Sequence, residues 1–209
     1  MLRRALFLLP LLGVTPALLA QQPLDRFTYD NLGFKGLWPE VGILTSNRLK
    51  GTVSYGLRVD VGQFAPRLRV LVGGSYYRSD FKTDEINQFE EALRNVVTDP
   101  TGDFTIDLGE IRWSDIELDL DLQYILTTTT SYRPYIGAGA GMHLRNGSGK
   151  AINGTFVEDA LDMLGAGVSL TAGMDVMLSR GFLMNLGGRA VFSSDLQTVG
   201  LTVGLGYRK

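Results

Sequence analysis

The chain has 209 residues, 44% of them apolar, which is enough for one domain with a sizeable core. It contains no cysteine, which excludes disulfides, thiolate metal sites and lipoprotein-type lipid attachment. The formal net charge of −2 offers no basic surface, so we expect no nucleic-acid partner.

Residues 1–20 have the parts of a cleaved signal peptide. Arg3 and Arg4 precede an apolar run over 5–12, and small residues follow up to Ala20. A transmembrane anchor is the alternative, but the run is short for a span of about 20 residues. It is also interrupted by Pro10 and Pro16. We therefore predict a mature domain over 21–209, with 18 basic residues against 22 acidic ones.

The rest of the chain repeats a period-two alternation of apolar and polar residues, which is typical of β-strands. In 116–126, every even position is apolar, and Glu117, Asp119 and Asp121 occupy odd positions. A helix would scatter these acids around its axis. The same pattern predicts eight strands, the first with poor alternation because of Pro39: 33–45, 53–61, 67–77, 116–126, 135–144, 168–178, 182–192 and 199–207.

These strands have the length and the connections of a membrane barrel. They exceed the five or six residues usual in soluble proteins and match the span of a tilted transmembrane strand. The two long connections, 80–110 and 146–164, leave the same end of the barrel, whereas 63–66, 128–133 and 179–181 are short. Apolar spacing predicts short helices at 84–97 and 156–164, inside the long connections.

The residue types on each face indicate which face points outward. The polar faces are rich in Gly, Ser and Thr, which fit a narrow interior, whereas the apolar faces carry large residues suited to lipid. Aromatic residues near strand ends suggest interfacial girdles: Trp113, Tyr124, Phe182, Phe192 and Tyr207. The prediction is an all-β fold, an eight-stranded antiparallel up-and-down transmembrane β-barrel with short helices in two external loops. An even strand number and short periplasmic turns put both termini in the periplasm.

The signal peptide, the strand pattern, the segment Tyr135-Ile-Gly-Ala-Gly-Ala-Gly-Met and a final strand ending near Tyr207 resemble the OmpA/OmpX-like small outer-membrane β-barrel family. The resemblance covers nearly all of the mature chain. It implies a location in the bacterial outer membrane, with lipid and lipopolysaccharide as neighbours. It also implies recognition by the barrel-assembly machinery through the aromatic residue near the end of the last strand, here Tyr207. Arg208 and Lys209 follow that residue, which is a departure from the family pattern.

Charged residues on the inward faces predict an ion-pair network, because charges in a narrow lumen need partners. We expect it to contain Arg58, Asp60, Arg67, Arg69, Glu117, Asp119, Asp121 and Arg189. If the connection at 63–66 turns at Phe64–Ala65, Asp60 lies directly opposite Arg69. The acids lack calcium-loop spacing, so we expect neither a metal nor a cofactor.

His143 is the only histidine, and it bears on whether the protein is an enzyme. Some barrels of this size modify lipid A with a His and a Ser two positions later, but Arg145 stands there in this chain. Gly137, Gly139 and Gly141 do not have nucleotide-loop spacing. We therefore expect a non-enzymatic barrel, structural or surface-interacting, and a monomer.

The connection at 80–110 has nine acidic residues against two basic ones. A solvated loop is the ordinary interpretation, with cation-bridged contact to lipopolysaccharide or adhesion as the sharper one. Two alternatives remain for the whole protein: an enzyme acting on lipid A, or an OmpW-like passage for small hydrophobic solutes.

Overall fold

The structure is a computed structural model, and it describes residues 31–96, 108–127, 129 and 131–209. The predicted signal peptide at 1–20 lies outside these residues, as does the part of the acidic connection at 97–107.

Eight antiparallel strands form a closed barrel, which confirms the predicted fold class. Each strand pairs with the next in the chain, and the last pairs with the first. The elements in order are β1 (Leu32–Ser46), β2 (Thr52–Ala65), β3 (Leu68–Asp80), α1 (Thr83–Val96), β4 (Arg112–Ile125), β5 (Tyr132–Ser148), α2 (Phe156–Leu161), β6 (Met163–Ser179), β7 (Phe182–Ser193) and β8 (Gln197–Arg208). We call the end that carries α1 and α2 the helical end and the other the turn end.

Neither helix in the described part of the chain is long and apolar enough to cross a membrane.

The stagger of the strands sets the width of the barrel. A path that starts at Gly36 on β1 and steps from each residue to its register partner on the next strand returns to β1 at Ser46. The stagger of the barrel is therefore ten residues. Eight strands with this stagger tilt by roughly 35–45° and enclose a space that side chains alone can fill. The lumen is therefore a packed core.

The alternation predicted from the sequence separates the two faces as expected. On β4 every odd residue from Trp113 to Ile125 is buried, whereas Leu118 and Ile116 on the outer face are 67% and 49% exposed. β1 continues through Pro39, which is the register partner of Leu57, while its pairing with β8 skips Trp38 and Pro39. Proline has no N–H to donate, so this gap suits it.

Four of the five residues of the predicted aromatic girdle lie on the outer face, as the prediction requires, and one does not. The outward side chains of Tyr124, Phe182, Phe192 and Tyr207 are exposed. Trp113 instead is buried inside the helical end, 5.2 Å from Phe81 between ring centroids. Its indole N–H donates to the Leu161 carbonyl oxygen at 2.9 Å. An odd position on β4 faces the lumen, and for that reason Trp113 cannot contact lipid.

The two helices close the helical end with an apolar cap. α1 begins one residue before the predicted start and packs Ile86, Phe89 and Leu93 on the cap. α2 ends at Leu161, three residues before the predicted end, because β6 begins at Met163. The buried residues of the cap are Leu49, Tyr77, Phe81, Leu108, Ile111, Trp113, Ile152, Val157 and Leu196.

The connection between β2 and β3 turns later than predicted. The turn residues are Pro66 and Arg67, and Arg67 adopts φ 67°. Proline fixes the backbone angle that a turn requires and cannot pair in a ladder, which moves the turn beyond Phe64–Ala65. Arg67 is therefore exposed in the turn, and its prediction as a lumen residue is wrong.

Candidate functional site: the charged lumen

The structure brings seven of the eight predicted charged residues into the lumen, all except Arg67. The polar residues of the lumen lie in three groups, which we name by position, and the seven predicted residues belong to the first two. The middle layer contains Glu40, Arg58, Glu117, Asp119, Asp121 and Arg189. The turn-end layer contains Asp60, Arg69, Asp175, Asn185 and Arg208, and the helical-end layer contains Tyr77, Asp115, His143 and Arg145.

Arg58 joins acids from two sides of the barrel in the middle layer. Its Nε donates to Glu40 Oε1 at 3.0 Å, and its Nη1 donates to Asp119 Oδ2 at 2.5 Å. The Arg58 side chain is 7% exposed, and those of Glu40 and Asp119 are 8% and 0% exposed. This pairing connects β1, β2 and β4 across the interior.

Arg189 makes the second bridge of the middle layer. Its Nη2 donates to Glu117 Oε1 at 2.9 Å, and its Nη1 lies 3.1 Å from Asp119 Oδ1. Ser169 donates to Asp121 Oδ1 at 3.0 Å and so satisfies a carboxylate that both arginines reach only at 3.8–4.0 Å. The middle layer thus has four carboxyl groups and two guanidinium groups.

Arg69 is the centre of the turn-end layer and is fully buried. Its Nη1 donates to Asp175 Oδ2 at 2.5 Å, and Nη2 donates to Gln123 Oε1 at 2.6 Å. Its guanidinium carbon lies 5.7 Å from the ring centre of Trp38 and 5.2 Å from that of Tyr135. Cation–π contact of this kind stabilises a desolvated arginine.

The predicted pairing of Asp60 with Arg69 is wrong in register. Asp60 is opposite Leu71, and Arg69 is opposite Gln63, because the chain turns at Pro66–Arg67 and not at Phe64–Ala65. Arg69 Nη1 lies 3.9 Å from Asp60 Oδ2, whereas Arg208 Nη2 lies 3.2 Å from it. Gly62 adopts φ +103° and donates its N–H to Asp60 Oδ1 at 2.8 Å, which fixes the carboxylate at the register irregularity after Asp60.

The helical-end layer surrounds the Asp115 carboxylate. Tyr77 Oη and Arg145 Nε each donate to Asp115 Oδ2 at 3.0 Å, and His143 Nδ1 lies 3.2 Å from the same oxygen. Arg145 also lies over the Trp113 ring at 5.3 Å. His143 Nε2 has no hydrogen-bond partner among the described residues, and the nearest carboxylate oxygen, on Glu117, is 3.8 Å away.

Several members of these layers were missed by the sequence interpretation. Asp115 and Arg145 lie on inward positions that alternation on β4 and β5 already marks, as does Asp175 on β6. Glu40 lies on the irregular first strand, where alternation gives no clear signal. Arg208 follows Tyr207 and extends β8 by one inward position.

The packed side chains leave two small internal cavities of about 40 Å³ each. Glu40, Arg58 and Arg189 line both of them. A cavity of this size holds at most a few water molecules. Within the described residues, no group of three or more His, Asp or Glu side chains is arranged to hold a metal ion.

Among known proteins, the same architecture is found in solved structures. No protein-family profile and no curated protein matches the chain. Among solved structures, Neisserial surface protein A is similar with a TM-score of 0.54 and 12% identity, over 85% of this chain and 97% of that one. This chain has the fold of the small outer-membrane β-barrels. It is the fold that the resemblance to OmpA/OmpX-like barrels implied.

Two further solved structures are similar at low identity. Outer membrane protein OprG from Pseudomonas aeruginosa is 14% identical, with a TM-score of 0.49, over 86% of this chain and 98% of that one. Ail, the attachment invasion locus protein of Yersinia pestis, is 13% identical, with a TM-score of 0.47, over 84% and 99%.

Proposed function

We propose that this protein is a non-enzymatic barrel of the bacterial outer membrane, with a structural or surface-interaction role. The helical end faces outside and both termini face the periplasm. The observation that carries the proposal is the contrast between the two faces. The outer wall exposes large apolar residues on every strand, and the lumen is filled by charged pairs.

An exposed apolar wall is unfavourable in water and favourable in lipid. Leu118, Ile43 and Leu201 are 63–67% exposed, and each faces away from the lumen. Closure of the barrel also pairs the strand edges, which a bilayer requires because lipid cannot satisfy backbone groups. Both properties support a location within a membrane.

The docked helix α1 supports a surface-interaction role. Its apolar stripe packs on the cap, and Arg48 Nε donates to Glu85 Oε2 at 2.7 Å, which ties the helix to the connection after β1. Its opposite face exposes polar and acidic groups, among them Asp84, Asn87 and Glu91. A rigid barrel that presents an ordered acidic helix can serve as a contact surface for another molecule.

Trypsin added to intact cells tests the orientation. We expect cleavage at Lys82 or Arg94 between β3 and β4, or at Lys150 between β5 and β6, because these residues belong to the helical end, which the proposal places outside. Arg67 and Arg180 lie in the short turns at the other end and should be protected. Cleavage confined to Arg67 and Arg180 would invert the orientation.

Two measurements test the role. Mass spectrometry of lipid A from cells with and without the protein should show the same acyl pattern, and a new pattern would establish an enzyme. Planar bilayers containing the barrel should show no stable open-channel current, because the described residues fill the lumen with charged pairs and the cavities beside Arg58 and Arg189 are water-sized. A steady conductance, or faster uptake of small hydrophobic solutes, would favour a passage.

A further inference from the structure

The outer wall changes from apolar to polar after the same register row of β3, β4 and β5. Tyr76, Ile116 and Leu144 are neighbours in register and are exposed and apolar. The next two rows toward the helical end contain only polar residues: Arg78, Ser114 and Asn146, then Asp80, Arg112 and Ser148. On this wall the boundary between hydrocarbon and headgroups therefore lies between Tyr76 and Arg78.

A cleft of about 620 Å³ opens directly above this boundary. Arg78, Arg112 and Lys150 supply its positive charge, and Asp80 and Glu110 supply its negative charge. Arg112 Nε is paired with Asp80 Oδ1 at 2.8 Å. Among the described residues, neither Arg78 nor Lys150 has a carboxylate within ion-pair distance, and the Arg78 guanidinium donates only a 3.5 Å hydrogen bond to Ser148 Oγ.

An apolar groove of about 860 Å³ lies below the boundary on β4 and β5, on the same side of the barrel, and reaches the helical end of β7 at Ser193. Its floor includes Ala140 and Ala166, and larger residues form its sides: Leu118, Met142, Val168 and Phe192. From Arg112 to Leu118 the distance along β4 is about 20 Å at the usual rise of a strand, and the tilt of the strand reduces this to a depth of about 15 Å. The distance between the cleft and the groove is thus similar to the distance between the headgroup of a lipid and the middle of its acyl chain.

We propose that this wall binds one phosphorylated acyl lipid of the surrounding leaflet. Arg78 and Lys150 bind the phosphate, and one acyl chain occupies the groove over Ala140 and Ala166. Arginine and lysine donate charge-assisted hydrogen bonds to phosphate oxygens. Small side chains under a row of large ones admit the chain into van der Waals contact. The proposal rests on the proposed membrane location.

Native mass spectrometry of the full barrel, released from detergent micelles, tests the phosphate contact. The probe is bisphosphorylated lipid A, and the comparisons are the same lipid without phosphates and inorganic phosphate alone. We expect one retained lipid per barrel for the phosphorylated probe. Arg78→Gln/Lys150→Gln should weaken this binding roughly tenfold, the effect of losing charge-assisted hydrogen bonds.

The controls separate a site from general charge attraction. Arg67→Gln/Arg180→Gln removes two exposed positive charges at the turn end and should leave binding unchanged. Arg78→Lys/Lys150→Arg keeps the charge and should retain binding. Equal losses in both Gln variants, or equal retention of the lipid without phosphates, would overturn the proposal.

A second pair of variants tests the groove without a change of charge. Ala140→Leu/Ala166→Leu fills the groove and should weaken lipid retention several-fold. Ala172→Leu also adds bulk to the outer face of β6, outside the groove, and should have no effect. Unchanged retention after filling the groove would overturn the acyl-chain assignment, and tight binding of inorganic phosphate alone would assign the cleft to a free anion.

Failure of the membrane proposal gives a different result. A chain that does not fold into lipid vesicles, seen as the absence of a heat-dependent gel shift, refutes the membrane location and this inference with it. A chain that folds there but shows no preference for the phosphorylated probe refutes the lipid site alone.

Discussion

Arg208 and Asp60 meet across a glycine. Arg208 on β8 and Asp60 on β2 are both register partners of Gly36 on β1, and Arg208 Nη2 lies 3.2 Å from Asp60 Oδ2. A side chain at position 36 would face the same side of the barrel and crowd the Arg208 backbone and Cβ at 3.3–3.4 Å. The pair therefore ties the two strands that flank β1.

The first prediction concerns the coupling of this pair. Asp60→Ala and Arg208→Ala should be strongly non-additive, with a coupling of about 1–3 kcal/mol, because each leaves the other's charge without its nearest partner. Asp60→Ala and Arg69→Ala should couple less, since those side chains are 3.9 Å apart and Arg69 pairs with Asp175. Urea unfolding from lipid vesicles measures both cycles. A larger coupling for Asp60 with Arg69 would contradict the register described above.

The second prediction concerns the charge imbalance of the middle layer. Arg189→Met should destabilise the barrel by roughly 3–5 kcal/mol, because it removes one of the two positive charges that face four carboxyl groups. Glu117→Gln should change stability by less than about 1 kcal/mol, since it removes a negative charge from the side in excess and keeps an acceptor for Ser75. The same unfolding assay compares them, and equal losses would show that the layer contains no excess of negative charge.

The third prediction concerns two glycines on opposite faces. A Cβ at Gly139 would overlap Asp121 Oδ1 and lie 2.8 Å from Ser169 Oγ, whereas one at Gly188 would have its nearest neighbour at 3.5 Å. Gly139→Ala should therefore cost about 1–3 kcal/mol through overpacking. Gly188→Ala should be neutral or stabilising by up to about 1 kcal/mol. A tolerated Gly139→Ala would mean that the lumen is wider than described.

The fourth prediction concerns the docking of α1. Phe89→Ala should loosen the helix from the cap and increase tryptic cleavage at Arg94 several-fold, because local opening depends on few apolar contacts. Gln88→Ala, on the exposed face of the same helix, is the matched control and should leave the cleavage rate unchanged. The heat-dependent gel shift of the barrel should persist in both. Loss of that shift in Phe89→Ala would mean that the cap is required for barrel folding.

The sequence was sufficient to predict the architecture, and the reason is visible on β4. Leu118 and Asp119 are adjacent on β4 and therefore face opposite sides of the wall. In a closed barrel with a filled lumen and an apolar exterior, Leu118 has to face outward and Asp119 inward. The partners of each charge could not be predicted in the same way. Pro66 moved the turn by two residues and exposed Arg67. That move alone would pair Asp60 with Gly73, and two register irregularities between Asp60 and Ala65 bring its partner back to Leu71. Contacts across the lumen depend on the stagger of all eight strands, which no single segment encodes.

The closed ladder also restricts how this chain can change over evolutionary time. A one-residue deletion within a strand turns every later side chain of that strand from lumen to exterior unless a β-bulge absorbs it, because a closed barrel has no free edge strand that could change register instead. Length changes should therefore accumulate in the connections after β3 and β5, while the strands accept substitutions but keep their length. The charges of the lumen favour a constant strand length, because a shift of one residue along β4 would turn Asp119 outward and Leu118 inward.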